Sequence, residues 1–343
     1  MREADHGPVL LDVPCGLVTD GGLPPSNSFV LPQHKMVYIS VTKVACTSLR
    51  WMMARLGGED PERFHNGTGP HLTRLMTVHG HRSKWSHVGR LSDMDPAEVA
   101  QISPANGWFV FAVVRDPWSR LWSAWQSKFL VRQPTFAMRY GDEPWFPRIP
   151  RNPDDVVEDF RAFVQAHPWT DHPDLMRDSH FRPQVRAVRP DGLDYSRVHD
   201  LAALPELFSD IHAHLDGLGL DQDLYLPRAN ETPLALTDAV LAGDVAERVE
   251  ELYGADFARF GDRWDRSAVK VSAAWSDDAI RAVGFHAAVF ERIGDMSREN
   301  ERLRLELRRT RRRLRAAEVA ESRPPLRRAL SGLPARVRRV TGR

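Results

Sequence analysis

The chain has 343 residues, 42% of them hydrophobic, and its 47 Lys and Arg almost cancel its 46 Asp and Glu, for a formal net charge of +1. That length and apolar content allow the chain to bury a sizeable core, so one large α/β domain with an appendage is expected, and no specific nucleic-acid partner. Two cysteines, Cys15 and Cys46, exclude a disulfide framework, and an N-terminus with no basic stretch leading into an apolar core points to the cytoplasm.

Residues 1–35 are rich in Gly and Pro and read as an irregular lead-in. Met36 to Val41 then reads as a strand, Thr42 to Ser48 as a turn, and Leu49 to Leu56 as a helix closed by Gly57-Gly58. A strand running through a tight turn into a helix aims backbone N–H groups and the positive end of the helix dipole at one place, where an anion is stable. Lys43 adds a point charge there and Thr47 and Ser48 add hydroxyl donors, the logic of a phosphate loop without its glycines. Lysine is scarce, five in the whole chain, so its presence in this turn is informative; the plain alternative is a strand–helix junction with one solvated Lys. Cys46 reads first as a small packing residue.

Residues 57–107 are polar, His-rich and interrupted, an insertion suited to an acceptor pocket. Within it His79-Gly80-His81 supplies two imidazoles that face the same way if the segment is extended; His87 lies further on. Trp108 to Val114 reads as a fully covered parallel strand ending at Arg115, and Asp116-Pro117 starts the next helix. Ser123 lies two turns into that helix, so one ligand group can touch both Arg115 and Ser123 while Leu121, Trp122 and Trp125 pack. Arg115–Asp116 or Arg120–Asp116 ion pairs are the structural alternatives. Residues 132–180, with Trp145, Phe146 and Trp169, read as a second substrate-side loop containing a helix from about Asp154 to Ala166. A strand at Tyr195 to Val198 and helices near 203–215 and 236–252 follow.

From Ser297 onward the chain holds 16 Arg against 5 Glu. Ser297 to Glu321 reads as one helix, stopped by Pro324-Pro325, with Leu303, Leu307 and Leu314 spaced by four and seven and Leu305 interrupting the stripe. The arginine load argues against a tight parallel coiled-coil dimer. A solvated appendage, a face for anionic lipid or polyanion, and a dimerisation arm remain open, and the basic and apolar mixture around Leu326, Leu330 and Val337 tilts toward surface binding. The expected division is a lead-in over 1–35, a domain over 36–294 and a basic helical tail over 295–343.

Lys43-Val44-Ala45-Cys46-Thr47-Ser48-Leu49 resembles the 5′-phosphosulfate loop of the carbohydrate sulfotransferase-like group of Golgi enzymes and their bacterial relatives. Val114 to Trp125 resembles the same family's 3′-phosphate motif. His180-Phe-Arg-Pro-Gln184, and Pro227 to Asn230 followed by Leu252-Tyr-Gly-Ala-Asp-Phe257, are similar to the family in the same order, so the resemblance spans about residues 36 to 264. It implies an α/β fold with a P-loop-like, doubly wound parallel sheet and helices on both faces. It also implies a sulfuryl donor, 3′-phosphoadenosine 5′-phosphosulfate (PAPS). Residues 43–48 would hold its 5′ end, Arg115 and Ser123 its 3′-phosphate, and no metal is required. The expected acceptor is a hydroxyl, or an amine, of a carbohydrate, glycolipid or other small molecule. A bacterial origin fits the preference for Arg over Lys, and the sequons at Asn66 and Asn230 then have no glycosylation role.

Sulfuryl transfer needs a cation at the leaving phosphate and a base for a hydroxyl acceptor. Lys43 suits the first role. For the second, His79-Gly80-His81 resembles the base-bearing segment of uronyl 2-O-sulfotransferases, His81 ahead of His79, with His180 and His87 behind. Two alternatives stand beside this reading: a nucleotide-dependent phosphotransferase, against which the missing GxxxxGK[ST] counts, and a non-catalytic binder of polyanions or membranes acting through the tail.

Overall fold

The computed structural model describes residues 25–65, 73–166, 172–229 and 232–321. Cys15, both sequon asparagines, Trp169 and the proline-containing end of the tail lie outside them.

Four strands form one sheet in the order β1 (Ser28–Leu31), β2 (Met36–Ile39), β3 (Phe109–Val114) and β4 (Arg197–Asp200). β2, β3 and β4 are parallel, whereas β1 runs antiparallel to β2, so the sheet is mixed rather than purely parallel. β1 falls inside the stretch expected to be irregular. Its four residues are too few to show a period, and it is defined by pairing with β2 through a one-turn reversal in which Lys35 takes a left-handed φ of 43°.

All six residues of β3 are buried, as expected of a strand covered on both faces. Around the sheet, Leu49, Met52 and Met53 of α1 (Cys46–Leu56) and Leu207, Ile211 and Leu215 of a later helix, Leu204–Gly217, complete one core. A second core is helical. It gathers α2 (Pro117–Trp125), which continues as one π-type turn over Gln126–Leu130, with α3 (Pro134–Tyr140) and α4 (Pro153–Gln165). Trp122 and Trp125 stack at 5.3 Å and Phe160 meets both edge-on, each such ring contributing roughly 1.5–3 kcal/mol by burial alone.

The chain continues through α5 (Gln184–Val188), α6 (Leu204–Gly217), α7 (Val245–Leu252) and α8 (Gly254–Phe260). The helix expected over 236–252 is divided, because Gly243 takes a left-handed φ of 70° between a 3-10 turn and α7. The last helix, α9, runs without a break over Asp277–Glu321. The expected boundary at 294/295 therefore falls inside a helix whose Ile280, Val283, Ala287 and Gly294 are buried against the body.

Candidate functional site

In the sheet register Ile39 lies beside Ala112 and Val114 beside Asp200, so β2, β3 and β4 end at one edge. The turns leaving β2 and β3 open there, where ligands bind parallel sheets. Lys43 and Ala45 in the first turn take left-handed φ values of 70° and 59°. For residues with a Cβ that conformation costs on the order of 1 kcal/mol or more each, and here it brings the chain round to the N-terminus of α1. Val44, Cys46, Thr47 and Ser48 are buried at that junction, and the Cys46 thiol is free.

Lys43 is half-buried, and its Nζ donates to Ser127 Oγ at 3.0 Å. Burial, then the nearby charges of Lys128, Arg115 and Arg120, pull its pKa down to about 7 from the ordinary 10.5. Lys128 is also lowered, chiefly by burial, and lies over the Phe136 ring at 5.3 Å. This second lysine, and Ser127, escaped the sequence reading because the π-type turn at the end of α2 carries them toward Lys43 against simple helical periodicity.

Arg115 follows β3 with its pKa lowered, above all by burial, while Asp116 and Asp200 oppose the shift. Among the described residues its guanidinium has no hydrogen-bond acceptor. Its backbone is held on both sides by Gln184, whose Oε1 accepts the Arg115 N–H at 3.0 Å and whose Nε2 donates to the Arg115 carbonyl at 2.8 Å. Asp116 caps α2 by accepting from the Ser119 N–H at 2.7 Å. Arg120 does not pair with it. Instead Arg120 Nε donates to the Thr42 carbonyl at 3.1 Å and Nη2 to the Ser179 carbonyl at 3.2 Å, while Nη1 is buried without a partner. The Thr42 hydroxyl also donates to the Ser179 carbonyl. Ser123 is buried on α2 two turns beyond Arg115.

The segment 178–185 is thereby tied to both turns. Tyr253 Oη donates to the Phe181 carbonyl at 2.7 Å, and Asp256 accepts the N–H groups of Gln184 and Val185, both at 2.8 Å, at the start of α5. The sequence motifs ending in Gln184 and containing Tyr253 and Asp256 are therefore supports for Arg115.

Two histidines meet this cationic group. Arg50 Nη1 donates to His79 Nδ1 at 2.8 Å, which obliges neutral His79 to carry its proton on Nε2 and donate to Thr47 Oγ1, also at 2.8 Å. Burial, with Arg50 and then His180, Lys128 and Lys43, lowers the pKa of His79 to about 3. His180 is held in the opposite tautomer: Nδ1–H donates to Asp178 Oδ1 at 2.7 Å, leaving the Nε2 lone pair available. Burial lowers its pKa to about 4 despite Asp178, with Lys128 and Lys43 contributing. For Asp178, burial pushes the carboxyl up, but the hydrogen bonds from His180 and the charge of Lys128 outweigh it and hold the group below its ordinary value. His81 is exposed, and its Nδ1 is engaged by the backbone and hydroxyl of Ser83; His87 is exposed as well. The extended geometry that would pair His79 with His81 is not adopted, because Arg74–His79 is a 3-10 turn and Arg82–Lys84 begins another.

Crowded, desolvated cations, among which Lys43 and the Arg115 guanidinium have no carboxylate bonded to them among the described residues, suit a ligand carrying several negative charges. The sulfotransferase family model matches residues 26–261. Carbohydrate sulfotransferase 10 of Danio rerio is 32% identical over 124 residues, 34% of this chain and 27% of the relative. Carbohydrate sulfotransferase 10 of Pongo abelii is 31% identical over 120 residues, 34% of this chain and 28% of the relative. The alignments thus cover under a third of either relative's length, and no solved structure matches. Since the family match runs from just before β1 to the end of α8 and takes in every segment that builds the cationic site, this chain belongs to the sulfotransferase family.

Proposed function

We propose that the chain moves a sulfuryl group from PAPS to a hydroxyl, or an amine, of a carbohydrate, glycolipid or other small acceptor. The observation that carries this reading is Lys43: a half-buried cation crowded by Lys128, Arg115 and Arg120, at a left-handed turn into a helix N-terminus. A multiply charged anion is what relieves such a site. Bound PAPS supplies the sulfuryl group and a phosphate leaving group. Lys43, Thr47, Ser48 and the backbone of Val44 to Ser48 would hold the 5′-phosphosulfate, and Arg115 with Ser123 the 3′-phosphate; the half-buried Arg115 guanidinium, with no acceptor among the described residues, fits that assignment. Ser127 holds Lys43 Nζ in place at the turn, and exchange of that weak neutral contact for a charged one strengthens as negative charge develops at the leaving oxygen.

For the acceptor proton, His180 Nε2 is favoured over His81 and His79. Asp178 orients its ring and stabilises the imidazolium formed, whereas His79 Nε2 already carries a proton and donates it to Thr47. A thermal-shift comparison tests the donor assignment. Adenosine 3′,5′-bisphosphate is expected to raise the unfolding midpoint and ATP with magnesium to leave it unchanged. Stabilisation by ATP with magnesium alone would support the phosphotransferase alternative instead.

A further inference from the structure

From Arg298 to Glu321 every residue of α9 is exposed, a projecting rod about 36 Å long at about 1.5 Å per residue. The helix carries large apolar side chains that stand open to solvent: Phe285 is 69% exposed, Met296 52%, Leu307 50% and Leu314 58%, with Val289 and Leu303 also exposed. At about 100° per residue these six fall within about 40° of helix circumference. That stripe lies roughly opposite Ile280, Val283, Ala287 and Gly294, the face that α9 turns to the body. A second helix laid along the stripe would therefore meet no obstruction from the domain that carries it.

The spacing is that of a coiled-coil seam. Taking Ile293, Asn300, Leu307 and Leu314 as the a positions of successive heptads places Met296, Leu303, Thr310 and Ala317 at d. The flanking g and e positions then match. In a parallel, in-register pair, each g residue faces the e residue five places on in the partner. Glu299 would face Arg304, Glu306 would face Arg311, and Arg313 would face Glu318, three attractive pairs on each side. The arginines in excess, such as Arg298, Arg308, Arg309 and Arg312, fall at b, c and f on the outer surface, so the net charge of the tail does not oppose pairing along the seam. In the single chain Glu299 and Glu306 are bonded by Arg302, a c-position residue that leaves each carboxylate able to accept a second cation.

We propose that α9 joins two copies of this chain as a parallel, two-stranded coiled coil over residues 296–317. Asn300, alone among the a positions in being polar, fixes both the register and the number of strands: in the single chain its amide donates only a long 3.3 Å bond back to the Met296 carbonyl, and in a parallel dimer it can pair with the other Asn300 across the seam. An antiparallel pair would set it against a d residue and lose the Asn–Asn contact.

Sedimentation equilibrium of the full chain tests this. The expected mass is twice 39.0 kDa, falling to that of one chain in the double variant Leu303→Asp, Leu307→Asp, with far-ultraviolet dichroism confirming a folded body. Glu306→Arg should weaken the dimer roughly tenfold by setting Arg against Arg311 of the other copy, and adding Arg311→Glu should restore it. The intrahelical bond to Arg302 stays lost in both variants, so recovery isolates the contact between helices. Asn300→Cys should form a cross-linked dimer on mild oxidation. A monomer at tens of micromolar, a trimer, or no cross-link would overturn the proposal, as would a monomer that sediments with anionic vesicles through the same leucines.

Discussion

Lys43 connects burial to ligand binding through protons. A cation whose folded pKa, about 7, lies below its unfolded value costs stability, fully at pH below 7 and not at all above the ordinary 10.5. Lys43→Met should therefore raise the unfolding midpoint at neutral pH while abolishing bisphosphate binding. Bound phosphate returns the pKa of Lys43 toward its ordinary value, so binding takes up a proton between those limits and affinity falls as pH rises above 7. Calorimetry in buffers of different ionisation enthalpy measures the uptake, and pH-independent affinity from 7 to 9 would remove Lys43 from the phosphate contact. His180 is tested by turnover. His180→Ala is expected to lower kcat on the order of 10²–10⁴-fold with little change in donor KM, Asp178→Asn to lower it less, and His81→Ala to leave it unchanged; full activity in His180→Ala would return the role to His79. Lys43 and Arg115 could be read from the sequence because each stands at the end of an apolar run. Lys128, Asp178 and the tautomers of His79 and His180 could not, since they depend on which distant segments converge.

At the scale of elements, the site rests on α5 and its supports. Asp256 takes the first two N–H groups of α5, Gln184 there grips the Arg115 backbone, and Tyr253 anchors Phe181. Asp256→Ala should cost about 1–3 kcal/mol of folding stability by leaving those buried N–H groups unsatisfied, and it should weaken bisphosphate binding through Gln184. Arg115→Ala should do the reverse: a loss of about 1.5–3 kcal/mol in binding, the worth of a charge-assisted contact, with the unfolding midpoint unchanged. Equal stability loss in both variants would mean that Arg115 is structural. The strand–turn–helix pairs around Lys43 and Arg115 were legible because their apolar runs and the Asp116-Pro117 start are local signals. β1 was not: its register depends on β2 and on Gly89, which bonds Val30 through both of its backbone groups.

For the whole molecule, α9 has two halves with different allegiances. Its first half is part of the domain, with Ile280, Val283 and Ala287 buried and Glu291 paired with Arg132 at 3.1 Å. Its second half is exposed along its whole length. A change of composition at Ser297 is obvious in the sequence and suggests a boundary, but helix propensity runs unbroken through it, so composition marks where packing stops rather than where the helix begins. Two truncations separate the halves. Ending the chain after Ser297 should leave the unfolding midpoint and bisphosphate affinity as they are. Ending it before Asp277 should expose the sites that Ile280 and Val283 fill and cost on the order of 2–5 kcal/mol, read by denaturant unfolding of both proteins. If the chain ending after Ser297 proved no more stable than the one ending before Asp277, α9 would contribute nothing to the domain core.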